Sequence, residues 1–487
     1  MRRFTFLLSL AVIVGGATGP VAQSAHTAST LCVGGKQGCF PTVQSAVDAA
    51  RDGDTIKIAP GTYAGGVTID VSVDVRGAGA GATTIQGGGP VLTIGAEQAD
   101  TEPTVSISGV TITGGFNNSF PDHAVTQGGG VRIPQGSFQS RAGLGATVTI
   151  SDSVISRNKV ASQQLLAPGF CGPFDCSFAS GGGIWSAGTL TLVDTSVTDN
   201  QAGDPASITV VAAGGGVGEG FQGALTLRHS FITGNRVSGT TPWGDVASAA
   251  GIDAPGRLSV EDSVVSRNSA ELSTDDPTDE NPIAFAGGIG IGGEATITRT
   301  TVSGNRVAAV NVGGQALAVA GGILDEGSLL LSESTIDHND VISSVPISSQ
   351  DAAFAGAGGI EIDGVATIRR SSLVGNSVTA NAPAGFAGAG GGGLSNFGQT
   401  SLDRTVITAN RVTVSGASGF AQGGGIQNDT LFGSTPTLTV TGSVIAGNSV
   451  EAGHGLTPQG GGLFTTFPIT LANTVIAGNK PDQCFGC

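Results

Sequence analysis

The sequence predicts an all-β chain wound as a parallel β-helix, and three observations carry that prediction. A motif ending in Asn recurs ten times, at Asn158, Asn200, Asn235, Asn268, Asn305, Asn339, Asn376, Asn410, Asn448 and Asn479. Five residues before each Asn stands Ser or Thr, and three residues before it stands Ile, Val or Leu. Within each unit the apolar positions ten and eight before the Asn alternate with period two, while those five and three before it have the opposite parity, so the chain bends between two strands. The composition excludes helical repeats: Val, Thr, Ile and Ser fill the strands, and 82 glycines would weaken any helix interior. A strand whose neighbours lie a whole repeat away, with corners between strands, is one rung of a parallel β-helix.

Taken in order, seven of the ten repeats open sixteen residues before the Asn with an Ile, Val or Leu behind small residues, as in Gly181-Gly-Gly-Ile184, Gly287-Gly-Ile289, Gly321-Gly-Ile323 and Gly391-Gly-Gly-Leu394. A Gly follows twelve before the Asn in seven copies, at 188, 223, 256, 293, 327, 364 and 398. Positive φ costs Gly little, so this position reads as a corner. The Leu-x-Leu and Ser/Thr-x-Ile segments complete three short strands per repeat. The Asn residues read as left-handed corner residues, and the Ser or Thr hydroxyl is expected to bond the backbone at the neighbouring bend. Six before the Asn the series runs Asp152, Asp194, His229, Asp262, Arg299, Glu333, Arg370, Arg404. From Asp262 to Arg370 opposite charges alternate rung by rung, and exposed stacked pairs of this kind contribute ~0.2 to 1 kcal/mol each. The Asn spacing averages about 36 residues, and the excess over a bare rung falls after the Asn. The segments 159–180, 201–213, 236–248, 269–286, 340–357 and 377–390 are therefore expected as variable loops on one side.

Residues 1–25 place Arg2 and Arg3 before an apolar run from Phe4 to Val14 and a small-residue exit, the pattern of a secretory signal peptide. No later stretch offers the ~20 apolar residues of a spanning helix, so the expected location is secreted, extracellular or cell-surface. Loss of Arg2 and Arg3 takes the net charge from −16 to −18, which disfavours nucleic acid as a partner. Six cysteines fall in local pairs, Cys32 with Cys39, Cys171 with Cys176 and Cys484 with Cys487. In an exported chain they read as disulfides, although a closing Cys-x-x-Cys also suits a redox or metal motif. Residues 26–54 form an N-terminal cap: Thr42 to Arg51 carries Val43, Ala46, Val47 and Ala50 at helical spacing, and a helix across the first rung would seal the open end of the core. The solenoid is expected over 55–480 and a disulfide tail over 481–487.

The run Pro41-Thr-Val-Gln-Ser-Ala-Val-Asp-Ala-Ala-Arg-Asp-Gly-Asp-Thr-Ile-Lys-Ile-Ala-Pro-Gly-Thr-Tyr63, with Val67-Thr-Ile69 and Thr83-Thr-Ile-Gln-Gly87, resembles the opening of the pectin-lyase-like right-handed β-helix superfamily. The Gly-Gly-Ile … Asn repeats are similar to those of bacterial polymorphic outer-membrane proteins and related β-helix surface proteins. Together the two resemblances imply a right-handed parallel β-helix. Because that superfamily spans pectate lyases, esterases, polygalacturonases, tailspikes and adhesins, the fold does not choose the activity.

The chain carries only parts of the catalytic patterns that the resemblance implies. Gly453-His454-Gly455 matches a polygalacturonase element, but the only Asp-Asp, Asp275-Asp276, lies 178 residues upstream, about five rungs or ~24 Å away. Glycoside-hydrolysing carboxyls act within ~5 to 9.5 Å of one another. Tyr63 is followed by Ala64 where the esterase pattern has Glu. A calcium-dependent lyase fits better: Asp325, Glu326, Glu361 and Asp363, then Asn396 and Asn428-Asp429, follow the Ile, Val or Leu of consecutive repeats and could stack oxygens for Ca²⁺. They equally suit a solvated polar face with an Asn ladder, which the absence of an Arg from the same column favours. The acidic stretch Glu271 to Glu280 reads as a solvated loop. Trp185, Trp243 and Tyr63 are few for a sugar-binding face, and Phe178, Phe285, Phe354, Phe386 and Phe420 read as a buried stack. The function expected is therefore a secreted or surface scaffold, monomeric and without an obligatory cofactor, that presents variable loops to an extracellular glycan or protein. The alternative is a polysaccharide lyase or hydrolase with a non-standard, calcium-assisted site.

Overall fold

The structure, a computed structural model, describes residues 27–487 except 100–101, 119–124, 137–144, 162–177, 204–210, 240–245, 275–280, 347–350, 431–432 and 454. The signal segment 1–25, Cys171, Cys176, Trp243, Asp275-Asp276 and His454 lie outside the described residues. From Phe116 onward the rungs contribute to four parallel sheets, and the rungs before it to three. In one rung Ile184–Ser186, Thr189–Val193 and Ser196–Thr198 enter the first three sheets, and Gln201–Ala202 and Val211–Ala213 enter the fourth. In that order the sheets hold 13, 14, 13 and 18 strands. The chain therefore adopts the parallel β-helix that the resemblance implied. Among the described residues no helix is long and apolar enough to cross a membrane.

Strict register makes the core. Ile184 pairs with Val217, Leu190 with Leu225 and Val197 with Ile232, so these three inward columns are apolar over successive rungs. The column Ile232, Val265, Val302, Ile336, Leu373, Ile407 is fully buried, as the repeat predicts. At the N-terminal end the helix Val43–Ala49 buries Val43, Ala46 and Val47 on this core and is capped by Thr42, whose Oγ1 accepts the Ser45 N–H at 3.1 Å. Cys32–Cys39 and Cys484–Cys487 are bonded near the two ends.

Three sequence expectations change. The segments 159–180 through 377–390 are not simply loops, for their described parts form the fourth sheet; Ser377–Gly390 is a single 14-residue strand. Their neighbours in space are the same segments of adjacent rungs, and parallel pairing fixes them despite unequal lengths. The repeat Asn is not the left-handed residue. That conformation falls on its predecessor, with φ 55° at Arg267, 60° at Gly304 and 53° at His338, and also six before the Asn, with φ 49° at Asp262 and 48° at Arg299. The Asn turns inward instead: Asn305 Nδ2 donates to Asn339 Oδ1 at 2.9 Å and to the Val265 carbonyl at 3.0 Å, while its Oδ1 accepts from Asn268. Finally, the corner glycines 293 and 327 do not need positive φ. A Cβ on Gly293 would stand 1.9 Å from the Gly256 carbonyl oxygen, and one on Gly327 2.1 Å from that of Gly293. The Ser and Thr hydroxyls do bond the bend, as Ser263 Oγ to the Glu261 carbonyl at 2.7 Å. The charge ladder also forms, with Arg299 on Asp262 at 2.8 Å and Arg370 on Glu333 at 2.6 Å.

Candidate functional site

The first sheet is made of three-residue strands whose outer residues face the core, so the middle residue of each faces outward. Register stacks these outward positions as Arg132, Trp185, Gly218, Asp253, Gly290, Leu324 and Glu361. The fourth sheet rises beside this row, because its strands Phe178–Ser180, Val211–Ala213 and Val246–Ser248 lead into the glycine corner that starts the next first-sheet strand. Where wall meets row there is a cleft of about 580 Å³. Its lining includes Phe178, Trp185, Glu219, Phe221, Asp253, Gln127 and Gln135. Trp185 is almost wholly buried, and the Arg132 guanidinium lies 6.0 Å from its ring centroid while pairing with Glu97. Phe221, at the turn after Val217–Glu219, is 87% exposed. An aromatic ring held in water at the mouth of a concave site is an anchor available to a ligand.

Two carboxyls on adjacent rungs share this cleft. Glu219 ends its strand facing the corner between the first and second sheets, is 5% exposed, and has no well-formed hydrogen bond to either carboxyl oxygen, the Gly256 and Arg257 amides approaching it only loosely. Its neighbours there are Gly223 and Gly256; a Cβ on Gly256 would come 3.1 Å from the Glu219 carboxyl carbon. Desolvation lifts its pKa from 4.5 to about 8; the amides of Gly256 and Arg257 partly offset this, and the Asp253 charge adds to it. Asp253, half-buried and outward-facing, is raised to about 7 by desolvation and then by the charge of Glu326. At neutral pH the cleft therefore holds carboxyls that still carry protons.

The four residues expected to bind calcium do not form one column. Asp325 pairs in register with Ile362 and then with Asn396 and Asn428, all facing the core, whereas Glu361 lies in the outward row beside Leu324 and Ser395. Asp325 is fully buried: Oδ1 accepts the Gly327 N–H at 3.2 Å and Oδ2 has no partner. Burial first, then the charges of Asp363 and Glu326, lifts it to about 7. Burial, then Asp363 and Glu326, raises Glu361 well above the usual range; burial and then Glu326 brings Asp363 to about 6. Among the described residues no three His, Cys, Asp or Glu side chains are gathered within reach of one metal ion. The Asn ladder next to Asp325 is buried and not solvated, Asn396 Nδ2 donating to Asn428 Oδ1 at 2.7 Å.

Sequence reasoning missed Glu219 and Asp253, although Val217-Gly-Glu219 and Ile252-Asp253 carry the same signal that singled out Asp325 and Glu361, an acid within two residues of the repeat's Ile, Val or Leu. The outward row does hold Arg132, six rungs before Glu361, but from Leu324 through Glu361, Ser395, Gln427 and Phe464 it carries no Arg, as expected. The aromatic expectation changes too: Phe354, Phe386 and Phe420 do contact one another, at 5.5 and 6.1 Å between centroids, but on the half-buried wall and not in the core. The stretch from Glu271 continues the strand Ser269–Thr274, and Glu271 is paired with Arg236 at 3.1 Å.

No family model and no curated protein matches the chain. Solved structures that match it include the A-modules of the mannuronan C-5 epimerases AlgE6 and AlgE4 of Azotobacter vinelandii. Each is 14% identical to this chain, with 90% of this chain and 95% of that one covered, at a TM-score of 0.33. Similarity at this level carries no argument about chemistry.

Proposed function

We propose that the chain is an exported β-helix scaffold that binds an extended glycan along the outward face of its first sheet. The observation that carries this reading is the cleft itself, in which Trp185, Phe178 and the exposed Phe221 surround convergent polar groups, Gln127, Gln135, Ser180, Ser248 and Asp253. Sugar rings offer apolar faces to aromatic side chains and hydroxyls to amides and carboxyls, and specific pockets combine the two. A row repeated at the ~4.8 Å rung spacing suits a polymer better than a compact ligand. The Cys32–Cys39 bond and the pattern of residues 1–25 support an extracellular location. Binding differs from the sequence expectation in its place, since the row of the first sheet and its wall replace the tips of variable loops.

A second reading, cleavage of the bound polysaccharide, is favoured by Asp253 alone. It is half-buried on the cleft floor and protonated near neutrality, which suits a general acid. One experiment addresses both. Wild type, Phe221→Ala and Asp253→Asn are titrated calorimetrically with soluble oligosaccharides, and the products are examined by mass. Phe221→Ala should weaken glycan binding roughly tenfold, about 1.4 kcal/mol, with no change in folding. If no glycan binds, the function proposed here is wrong; if products form with wild type and not with Asp253→Asn, the second reading replaces the first.

A further inference from the structure

Many of the exposed acids on the flanks of this solenoid are paired with an arginine. Glu261 and Asp262 hold Arg299, Glu333 holds Arg370, Glu271 lies between Arg236 and Arg306, and Glu451 holds Arg411. The row on the first sheet does not follow this pattern. Glu219 and Asp253 share the cleft, Glu326 is near enough for its charge to act on Asp253, and among the described residues none of the three forms an ion pair. The cleft contains no Lys, Arg or His in its lining. Glu219 lines the cleft with 5% exposure, and only the loosely placed Gly256 and Arg257 amides approach its oxygens. A carboxyl left in that state costs the fold free energy that a cationic ligand would recover.

Building on the glycan reading above, we propose that the ligand is a cationic amino-sugar polymer, its rings stacked on Phe221 and Trp185 and its free ammonium groups seated on Glu219, Asp253 and Glu326. Glu219 and Asp253 stand on adjacent rungs, ~4.8 Å apart, and Glu326 two rungs beyond, so ammonium groups along one polymer chain can meet them in turn. A single metal ion would meet at most two of these carboxyls, because among the described residues no three of them are within reach of one ion. A cationic peptide fits less well. Strand addition needs a free sheet edge, whereas the wall strand Val211–Ala213 is hydrogen-bonded on both sides, to Phe178–Ser180 and to Val246–Ser248. The raised pKa values of Glu219 and Asp253 add a signature: a bound ammonium favours the carboxylate, so binding at pH 7 releases protons.

The test is calorimetry at pH 7 in EDTA, with fully deacetylated β-1,4-glucosamine oligomers, their N-acetylated counterparts, neutral cello-oligomers and oligolysine, each in two buffers of different ionisation enthalpy. The deacetylated oligomer is expected to bind at least tenfold more tightly than the acetylated one. Its enthalpy should vary with the buffer, and Asp253→Asn and Glu219→Gln should each weaken the deacetylated oligomer more than the acetylated one and so abolish the margin. Equal binding of the acetylated or neutral oligomers would overturn the amino-sugar assignment while leaving the glycan reading intact. Tight oligolysine binding that Phe221→Ala does not affect would identify a peptide site and overturn it as well. Absence of binding by every oligosaccharide would remove both.

Discussion

Glu219 makes stability depend on pH in a direction opposite to most carboxylates. In the unfolded chain it titrates near 4.5 and in the fold near 8, so between these values the native state binds the extra proton. Stability then falls as pH rises through that window, is unaffected by this group below about 4.5, and reaches its full penalty above about 8. Each pH unit between the two values is worth ~1.36 kcal/mol, so Glu219 costs the fold about 4 to 5 kcal/mol at pH 8, a large fraction of an ordinary domain's stability. Asp325 acts in the same sense up to about pH 7. Glu219→Gln keeps the shape and the neutral state. It should match wild type in urea unfolding at pH 4 and exceed it by several kcal/mol at pH 8, provided the transitions remain cooperative. Wild-type stability that rises from pH 5 to 8, or a variant that gains nothing at pH 8, would refute the assignment of a desolvated carboxyl.

Val302→Asp puts a charge into a fully buried column, costs several kcal/mol, and should leave the chain insoluble on expression; soluble, cooperatively folding protein would contradict the register. Asn305→Ala removes donors and acceptors shared with Asn268, Asn339 and Val265. Orphaned partners cost ~1–3 kcal/mol each, so its thermal midpoint should fall clearly, whereas truncation of the exposed Arg257 should be nearly neutral. The calcium expectation, kept as a proposal of weak binding at Asp325, Glu326, Glu361 and Asp363, predicts a thermal midpoint that rises in millimolar Ca²⁺. That rise should vanish in Asp325→Asn/Asp363→Asn; a rise that persists places the ion elsewhere, and no rise in wild type removes the site.

The sequence by itself determined the architecture. The recurrence of Asn, of the Ser or Thr five residues earlier, and of the Ile, Val or Leu three residues earlier implies rungs. One column of apolar residues, Ile232 to Ile407, is legible because every rung imposes the same inward parity. The cap was legible for the same reason, since Val43, Ala46 and Val47 share a helix face. Tertiary structure decided which polar residues face inward. The Asn side chains became a buried ladder because the left-handed turn falls one residue earlier, and no local preference at the Asn records that. It also decided the candidate site. Glu219 and Asp253 are 34 positions apart, and only the pairing of Val217–Glu219 with Ile252–Ala254 brings them to one cleft. Their burial depends on a wall from the fourth sheet whose segments differ in length from rung to rung, so nothing periodic announces it. The shifted carboxyls arise from that wall and from charges on other rungs, terms set by distances in space that the order of residues along the chain does not contain.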